Sequence, residues 1–351
     1  MSDLQARSTA LVTGATGLLG SHIAEQLRLR DVPVRALCRP TGDTAFLRGL
    51  GVEIVLGDLT DCESLRQACT GVDCVYHCAA RVGDWGPWHL FRQTTIDGTR
   101  HLLEAARNAM VRRFLHVSSV SVYGEVDGAG VILDEQAPLG VKLARWNYYA
   151  RAKVEAEKLV WRMHASGKLA VTVVRPSWLY GPRDRTTMPR IVDSIRRGRL
   201  RLIGDGDNRL NVVHAGNAAE AAIIAAHSDL AIGEAYNCSH DGFMTQREYF
   251  NRVASALGAA PITASVPYAV ARGAGFFLEC AGHLFRTKRP PLISRYAAWL
   301  VGRRCFFACR KIKECLGWCS TIGYDEGIPA AVADYVSRVA RRPGGLTSAE
   351  R

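Results

Sequence analysis

The chain has no apolar run approaching the ~18 residues needed to cross a bilayer, so no membrane-spanning segment is expected. Its first residues, MSDLQARSTALVTG, lack the charged, apolar and small-residue layout of an export signal. The eleven cysteines are therefore expected to stay reduced in a cytoplasmic protein. Cys305, Cys309, Cys315 and Cys319 miss the usual zinc-knuckle spacing; they read as packing on helix faces, and no metal is expected. Internal repeats and low-complexity tracts are absent, which argues against a solenoid. Only the tail 341–351, RRPGGLTSAER, reads as disordered.

Acid is also scarce. Asp and Glu number 33 against 45 Lys and Arg, a formal net charge of +12. No nucleic-acid motif accompanies the excess, so nucleic acid is not expected as a partner. The charge is concentrated: residues 271–315 hold ten Lys and Arg against Glu279 and Glu314. Apolar stretches, GAGFFLECAGHLF and RYAAWLVGRRCFF, run between those charges. That mixture suits either a peripheral contact of 271–315 with a membrane surface or an apolar, anionic substrate.

What is present is an ordinary globular composition, 48% hydrophobic and 22% charged, in 351 residues, enough for one elaborated domain or two. Strand-like runs alternate with helical periodicity: TALVT, PVRALCR, VEIVLGD, CVYHCAA, RFLHVSSVSVYG and LAVTVVRPSWLYG. Such βα alternation predicts an α/β fold with a parallel sheet covered by helices on both faces. After about residue 180 the pattern loosens.

The first βα turn, LVTGATGLLGSHIAEQL, sets Gly14, Gly17 and Gly20 between a strand and a helix. Glycines there permit a tight turn and bring backbone N–H groups close to a pyrophosphate, so a dinucleotide is expected. The second strand ends ALCRP. Arg39 lies where a carboxylate would hold the ribose hydroxyls of NAD, and a guanidinium suits a 2′-phosphate, so NADP(H) is favoured over NAD(H). In NYYARAKVEAEK, residues 147–158, Tyr149 and Lys153 stand four apart on one helix face, whereas Tyr148 points about 100° away. A tyrosine of pKa ~10 that exchanges a proton near neutrality needs its pKa lowered by roughly 3 units, and a neighbouring ammonium acts in that direction.

Over nearly its whole length the chain resembles the extended short-chain dehydrogenase/reductases. TGATGLLG is similar to their glycine motif, GDLTD (57–61) to their adenine-side acid, HCAA (77–80) to the loop past the fourth strand, and VSSVSVYG to the serine strand. YYARAK, VVRPSWLYGP, NVVHAGNAAEA and EAYNCS resemble later landmarks. The resemblance implies a doubly wound Rossmann sheet in 1–181, rejoined by 212–235, and a smaller substrate-binding cap from 182–211 and 236–340. It implies Ser119, Tyr149 and Lys153 as the catalytic set, with Ser118 and Ser121 as alternatives for the serine. It places Gly14, Thr16, Gly17, Leu18, Leu19, Gly20, Arg39, Asp58, Leu59, Ala79, Ala80, Tyr149, Lys153 and Pro176 around the cofactor, with Lys153 on its ribose. Thr95, in TIDGT, departs from the asparagine frequent in the family and puts one structural contact in doubt.

ARVGDWGPWHLFRQTTIDGT and the apolar, basic C-terminal part resemble the 3β-hydroxysteroid dehydrogenase branch, which includes sterol-4-carboxylate dehydrogenases and 2-alkyl-3-oxoalkanoate reductases. The activity implied is alcohol–ketone interconversion on a bulky apolar substrate, by a homodimer. A nucleotide-sugar epimerase is the alternative, with Arg209 in GDGDNRLNVVH gripping a diphosphate. Dehydratases place acids after the catalytic hydroxyl, where this chain has Val120 and Ser121. A non-catalytic NADP-binding sensor or scaffold would be expected to have lost Tyr149 or Lys153.

Overall fold

The computed structural model describes residues 8–240, 242–287 and 290–341. The expected disordered tail, apart from Arg341, and the basic pair Lys288 and Arg289 lie outside them. Seven parallel strands form one sheet: β1 (Thr9–Thr13), β2 (Val34–Cys38), β3 (Glu53–Leu56), β4 (Val72–His77), β5 (Arg113–Val117), β6 (Ala170–Pro176) and β7 (Ala235–Cys238). Their spatial order is β3-β2-β1-β4-β5-β6-β7. Order reverses between β1 and β4, so a crevice opens at the carboxyl ends of these two strands, the place where such sheets bind ligands.

Because helices cover both faces, the central strands are apolar without alternation, as β1 is in TALVT. On one face α1 (Leu18–Arg28) packs with Ile23 and Leu27 under the sheet. On the other lie α2 (Cys62–Cys69), α3 (Gly98–Asn108) and α4 (Tyr148–Ala165), where Leu65, Leu102 and Val160 meet Val75 and Phe114. Outside the sheet follow α5 (Thr187–Arg196) and α6 (Ala215–His227). The alanine-rich α6, AGNAAEAAIIAAH, lies against α1 because small side chains allow close approach.

Residues from α5, α7 (Gln246–Ala256) and a C-terminal helix build a second core of Met188, Ile191, Tyr249, Val253, Ile328 and Val332. Two helices, α8 (Tyr268–Leu284) and α9 (Arg295–Gly302), pack together beyond it. The chain then returns to the sheet, where Cys309, Ile312 and Trp318 join the core beneath α1 and α6. Cys305 is buried beside Phe307, whereas Cys315 and Cys319 are exposed rather than packed.

Two long strands of the sequence reading are shorter. RFLHVSSVSVYG leaves the sheet at Val117, because Ser119 accepts the Ser121 N–H and starts a 3-10 turn over Val120–Tyr123. LAVTVVRPSWLYG breaks after Pro176; Trp178–Tyr180 pairs instead with Val212–His214.

Candidate active site

The crevice begins at the glycine turn. Gly14 has φ +68°, which glycine adopts freely. A Cβ on Gly14 would stand 2.8 Å from the Ala79 nitrogen, and one on Gly20 2.3 Å from the Gly14 oxygen. The turn can therefore close against the loop after β4 only with both glycines. Gly17, exposed, caps α1 without a side-chain bond, so the N–H groups of Leu18, Leu19 and Gly20 have no partner within the helix. Thr16 sits beside the turn after β2, with its Cγ2 3.5 Å from where a Gly42 Cβ would be. Leu19 packs its side chain into the core, so only its backbone faces the crevice.

Arg39 is exposed at the end of β2 and carries no ion pair among the described residues. Asp58 Oδ1 accepts the Thr60 N–H at 3.0 Å and its hydroxyl at 2.8 Å. Leu59 is buried against Gly98. Ala79 donates its N–H to Thr13 Oγ1 at 3.3 Å, and Arg81 donates its own to Thr95 Oγ1 at 3.0 Å. Thr95 thus still ties the loop down where the family often uses asparagine. Ala80 lies between those two bonds, and Pro176 closes the carboxyl end of β6.

A run of buried hydrogen bonds supports this loop. The Thr99 hydroxyl donates to the Thr95 carbonyl at 2.6 Å, so it must accept from His77 Nε2–H at 2.9 Å. His77 Nδ1 then accepts from the Thr13 hydroxyl at 2.8 Å. Burial, helped by the Lys153 charge, pushes the His77 pKa down to about 3, consistent with a neutral ring.

Tyr149 and Lys153 project from the first turns of α4, which Asn147 caps by accepting the Ala150 N–H. Ser119, partly exposed, faces the Tyr149 hydroxyl; its hydrogen bond lowers the tyrosine pKa, but burial is larger and raises it. The lowering expected from the ammonium is not what the fold supplies by itself. Lys153 is 4% exposed and donates to the Val117 carbonyl at 2.7 Å, and burial brings its pKa down from 10.5 to about 8. Tyr148 points away, into Trp88 and Phe91.

The alternative serines are otherwise engaged or enclosed. Ser118 donates to Glu157 Oε2 at 2.5 Å. Glu157, fully buried, also accepts from Arg175 Nη2 at 2.5 Å and Trp161 Nε1 at 3.1 Å. Arg175 Nη1 donates to the Tyr123 hydroxyl at 2.8 Å, which donates to Asn237 at 2.7 Å. This network braces the serine turn from behind. Ser121 is buried, and its hydroxyl has no partner among the described residues.

Several lining residues escaped the sequence reading. Tyr296 of α9 meets Tyr149 edge-on, ring centroids 6.2 Å apart, and Trp299 follows at 5.8 Å. Trp85 stacks on His283 of α8 at 4.5 Å and donates to the Thr287 carbonyl, linking the 81–91 loop to α8 and the residues after it. Aromatic spacing in RYAAWLVG was the available signal. Several basic groups of 271–315 are paired with acids. Arg295 pairs with Glu279 at 2.7 Å, Arg272 with Glu125 at 3.7 Å, and Lys311 with Glu234 at 2.6 Å. Arg209 lies 3.7 Å over the Phe306 ring and donates to the Gly242 carbonyl.

Comparison with known proteins gives the family. The family model described as NAD dependent epimerase/dehydratase matches residues 10–239. A 2-alkyl-3-oxoalkanoate reductase of Shewanella oneidensis is 29% identical over 92% of this chain and 84% of its own. The decarboxylating sterol-4-alpha-carboxylate 3-dehydrogenase of Mus musculus is 26% identical over 95% of this chain and 92% of its own. A dTDP-glucose 4,6-dehydratase from Streptomyces venezuelae, solved with NAD, superposes with a TM-score of 0.75 at 25% identity, covering 94% of this chain and 98% of that one.

Proposed function

Because the chain belongs to the NAD-dependent epimerase/dehydratase family and is an NAD(P)-dependent dehydrogenase/reductase, we propose that it interconverts a secondary alcohol and a ketone on a bulky apolar substrate. The substrate class is a β-oxo or β-hydroxy acid, a sterol carboxylate or a 3-hydroxysteroid. The observation that carries this reading is the Ser119–Tyr149 contact beside the aromatic wall of Tyr296, which buried Trp299 backs. A hydrocarbon body fits such a wall, and a sugar nucleotide would need polar groups there.

The residues around the glycine turn fit a dinucleotide: the unpartnered N–H groups of Leu18, Leu19 and Gly20 suit its pyrophosphate, and Asp58 its adenine side. Exposed Arg39 supports NADP(H) over NAD(H), since its guanidinium is available to a 2′-phosphate. When bound, this cofactor supplies or accepts the hydride. Tyr149 gives the substrate oxygen its proton in reduction and takes it back in oxidation, while Ser119 donates a hydrogen bond to the same oxygen. Lys153, charged and buried, holds the ribose and favours the phenolate.

Arg209, stacked on Phe306, is poorly placed to serve a diphosphate, which weighs against an epimerase. The test is NADPH consumption with 2-alkyl-3-oxo acids, 3-ketosteroids and nucleotide sugars, repeated with Tyr149→Phe. Turnover of an oxo acid or ketosteroid, falling roughly 100- to 10,000-fold in the variant, is expected. Turnover of nucleotide sugars alone, or a variant keeping a tenth of the activity, would overturn the reading.

The outer face of α8 supports a peripheral membrane contact as part of the same proposal. Val270, Ala274, Phe277, Ala281 and Leu284 recur at helical spacing and are all exposed, while Ala271, Gly275, Glu279 and Gly282 face inward. Exposed Phe285 and Arg286 follow directly. An uncharged apolar stripe ending in a cation suits an anionic lipid surface.

A further inference from the structure

We propose that Arg303 is the receptor for a carboxylate on the substrate, an assignment that rests on the reading above of an apolar substrate beside Tyr149. Arg303 is 1% exposed, and its Nε, Nη1 and Nη2 all lack a hydrogen-bond partner among the described residues. Its guanidinium instead lies over two rings, 4.5 Å from the Trp299 centroid and 4.6 Å from that of Phe307. The Trp299 indole N–H is buried and unpartnered too. Asp127, the carboxylate whose charge reaches Arg303, is exposed and accepts the N–H groups of Arg304 at 2.8 Å and Gly128 at 2.9 Å.

Burying a charge without a counterion is costly, and folded proteins pair such groups almost without exception. Five guanidinium N–H bonds and one indole N–H form a set of donors with no acceptor. The ligand chemistry that completes it is an oxyanion. A carboxylate matches the planar fork with two parallel hydrogen bonds.

The position is equally specific. On one side Trp299 leads through Tyr296 to Tyr149, by ring separations of 5.8 and 6.2 Å. On the other, Phe307 stacks at 5.9 Å on Tyr123, the last residue of the turn that Ser119 begins. Arg303 is thus bracketed between the two elements that carry the candidate proton donor and hydroxyl. Its main chain is pinned by Asn208, which donates to the Arg303 carbonyl at 3.0 Å. The neighbouring Arg295 and Arg272 already have carboxylate partners. A cation buried among aromatic rings with no acid beside it among the described residues suits a hydrocarbon body bearing one acid group.

The test uses the full chain with NADPH present and two probes: a long-chain 2-alkyl alkanoic acid without an oxo group, and its methyl ester. The acid should bind the parent protein at least about 30-fold more tightly than the ester. Arg303→Met should bring the acid to the level of the ester, and Arg303→Lys should restore part of the difference. NADPH affinity should stay unchanged in both variants. Removing an unpaired buried charge should not lower the melting temperature, so misfolding would not mimic the result. Equal binding of acid and ester by the parent, or an acid affinity indifferent to Arg303→Met, would overturn the assignment. So would a nucleoside diphosphate that binds the parent and is lost in Arg303→Met.

Turnover separates this proposal from the functional one. A parent protein that binds the acid through Arg303 but reduces no 3-oxo acid would break the functional reading and leave the receptor in place. Equal reduction of a 3-oxo acid and its ester, untouched by Arg303→Met, would do the reverse.

Discussion

Lys153 gives the sharpest quantitative prediction, because its environment can be converted into a pH profile of stability. The ammonium is 4% exposed, and burial lowers its pKa from 10.5 to about 8. At 1.36 kcal/mol per unit, the folded state disfavours the charged form by about 3 kcal/mol. The folded value lies below the unfolded one, so between pH 8 and 10.5 the unfolded chain binds more protons. Stability therefore rises with pH across that window, and this group contributes no slope below or above it. Lys153→Met removes the amine at similar length. It also leaves the Val117 carbonyl without its donor, a loss of about 1–3 kcal/mol that does not depend on pH. The offset between parent and variant is thus small, but their difference should change by about 3 kcal/mol from pH 7 to 10.5, in the parent's favour as pH rises. Urea unfolding followed by tryptophan fluorescence at four pH values measures this, and the groups common to both proteins cancel. Parallel stability profiles would refute the reasoning and mean that the amine is solvated. In the proposed function the same burial would strengthen the charge toward a ribose hydroxyl, because water does not screen it.

Two further outcomes are expected. Arg39→Asp should weaken NADPH binding by roughly 2–4 kcal/mol and leave NADH nearly unaffected, measured by fluorescence titration; equal losses for both would make Arg39 a surface residue only. Phe277→Glu combined with Leu284→Glu should release the protein from sedimenting phosphatidylserine vesicles at low salt while sparing turnover on a water-soluble ketone, since both side chains are more than 70% exposed; unchanged sedimentation would remove α8 from the membrane.

The readable parts of the sequence are those whose physics is local. A buried parallel strand is an apolar run, so TALVT and its successors announced the sheet. The glycine turn shows itself because Gly14 takes a positive φ and Gly20 packs on the Gly14 oxygen six residues back, although Gly14 is also crowded by the distant Ala79. Tyr149 and Lys153 share a face by helical geometry alone. What stayed hidden depends on distant partners. RFLHVSSVSVYG looks like one strand, and only the Ser119 side chain, by capping a turn, ends it. Arg175 and Arg303 are indistinguishable in the sequence, yet their fates are opposite. Arg175 meets Glu157, brought from α4, and becomes a fully bonded brace behind the serine turn. Arg303 meets two aromatic rings and, among the described residues, no acid in hydrogen-bond reach. The basic count of 271–315 points to an anionic substrate or a membrane surface; among the described residues the fold pairs several of those cations with Glu125, Glu234 and Glu279 and buries Arg303 without a hydrogen-bond partner. Net charge is a sum over a segment, whereas recognition of an anion depends on which cation has no other partner, and that is decided by tertiary packing.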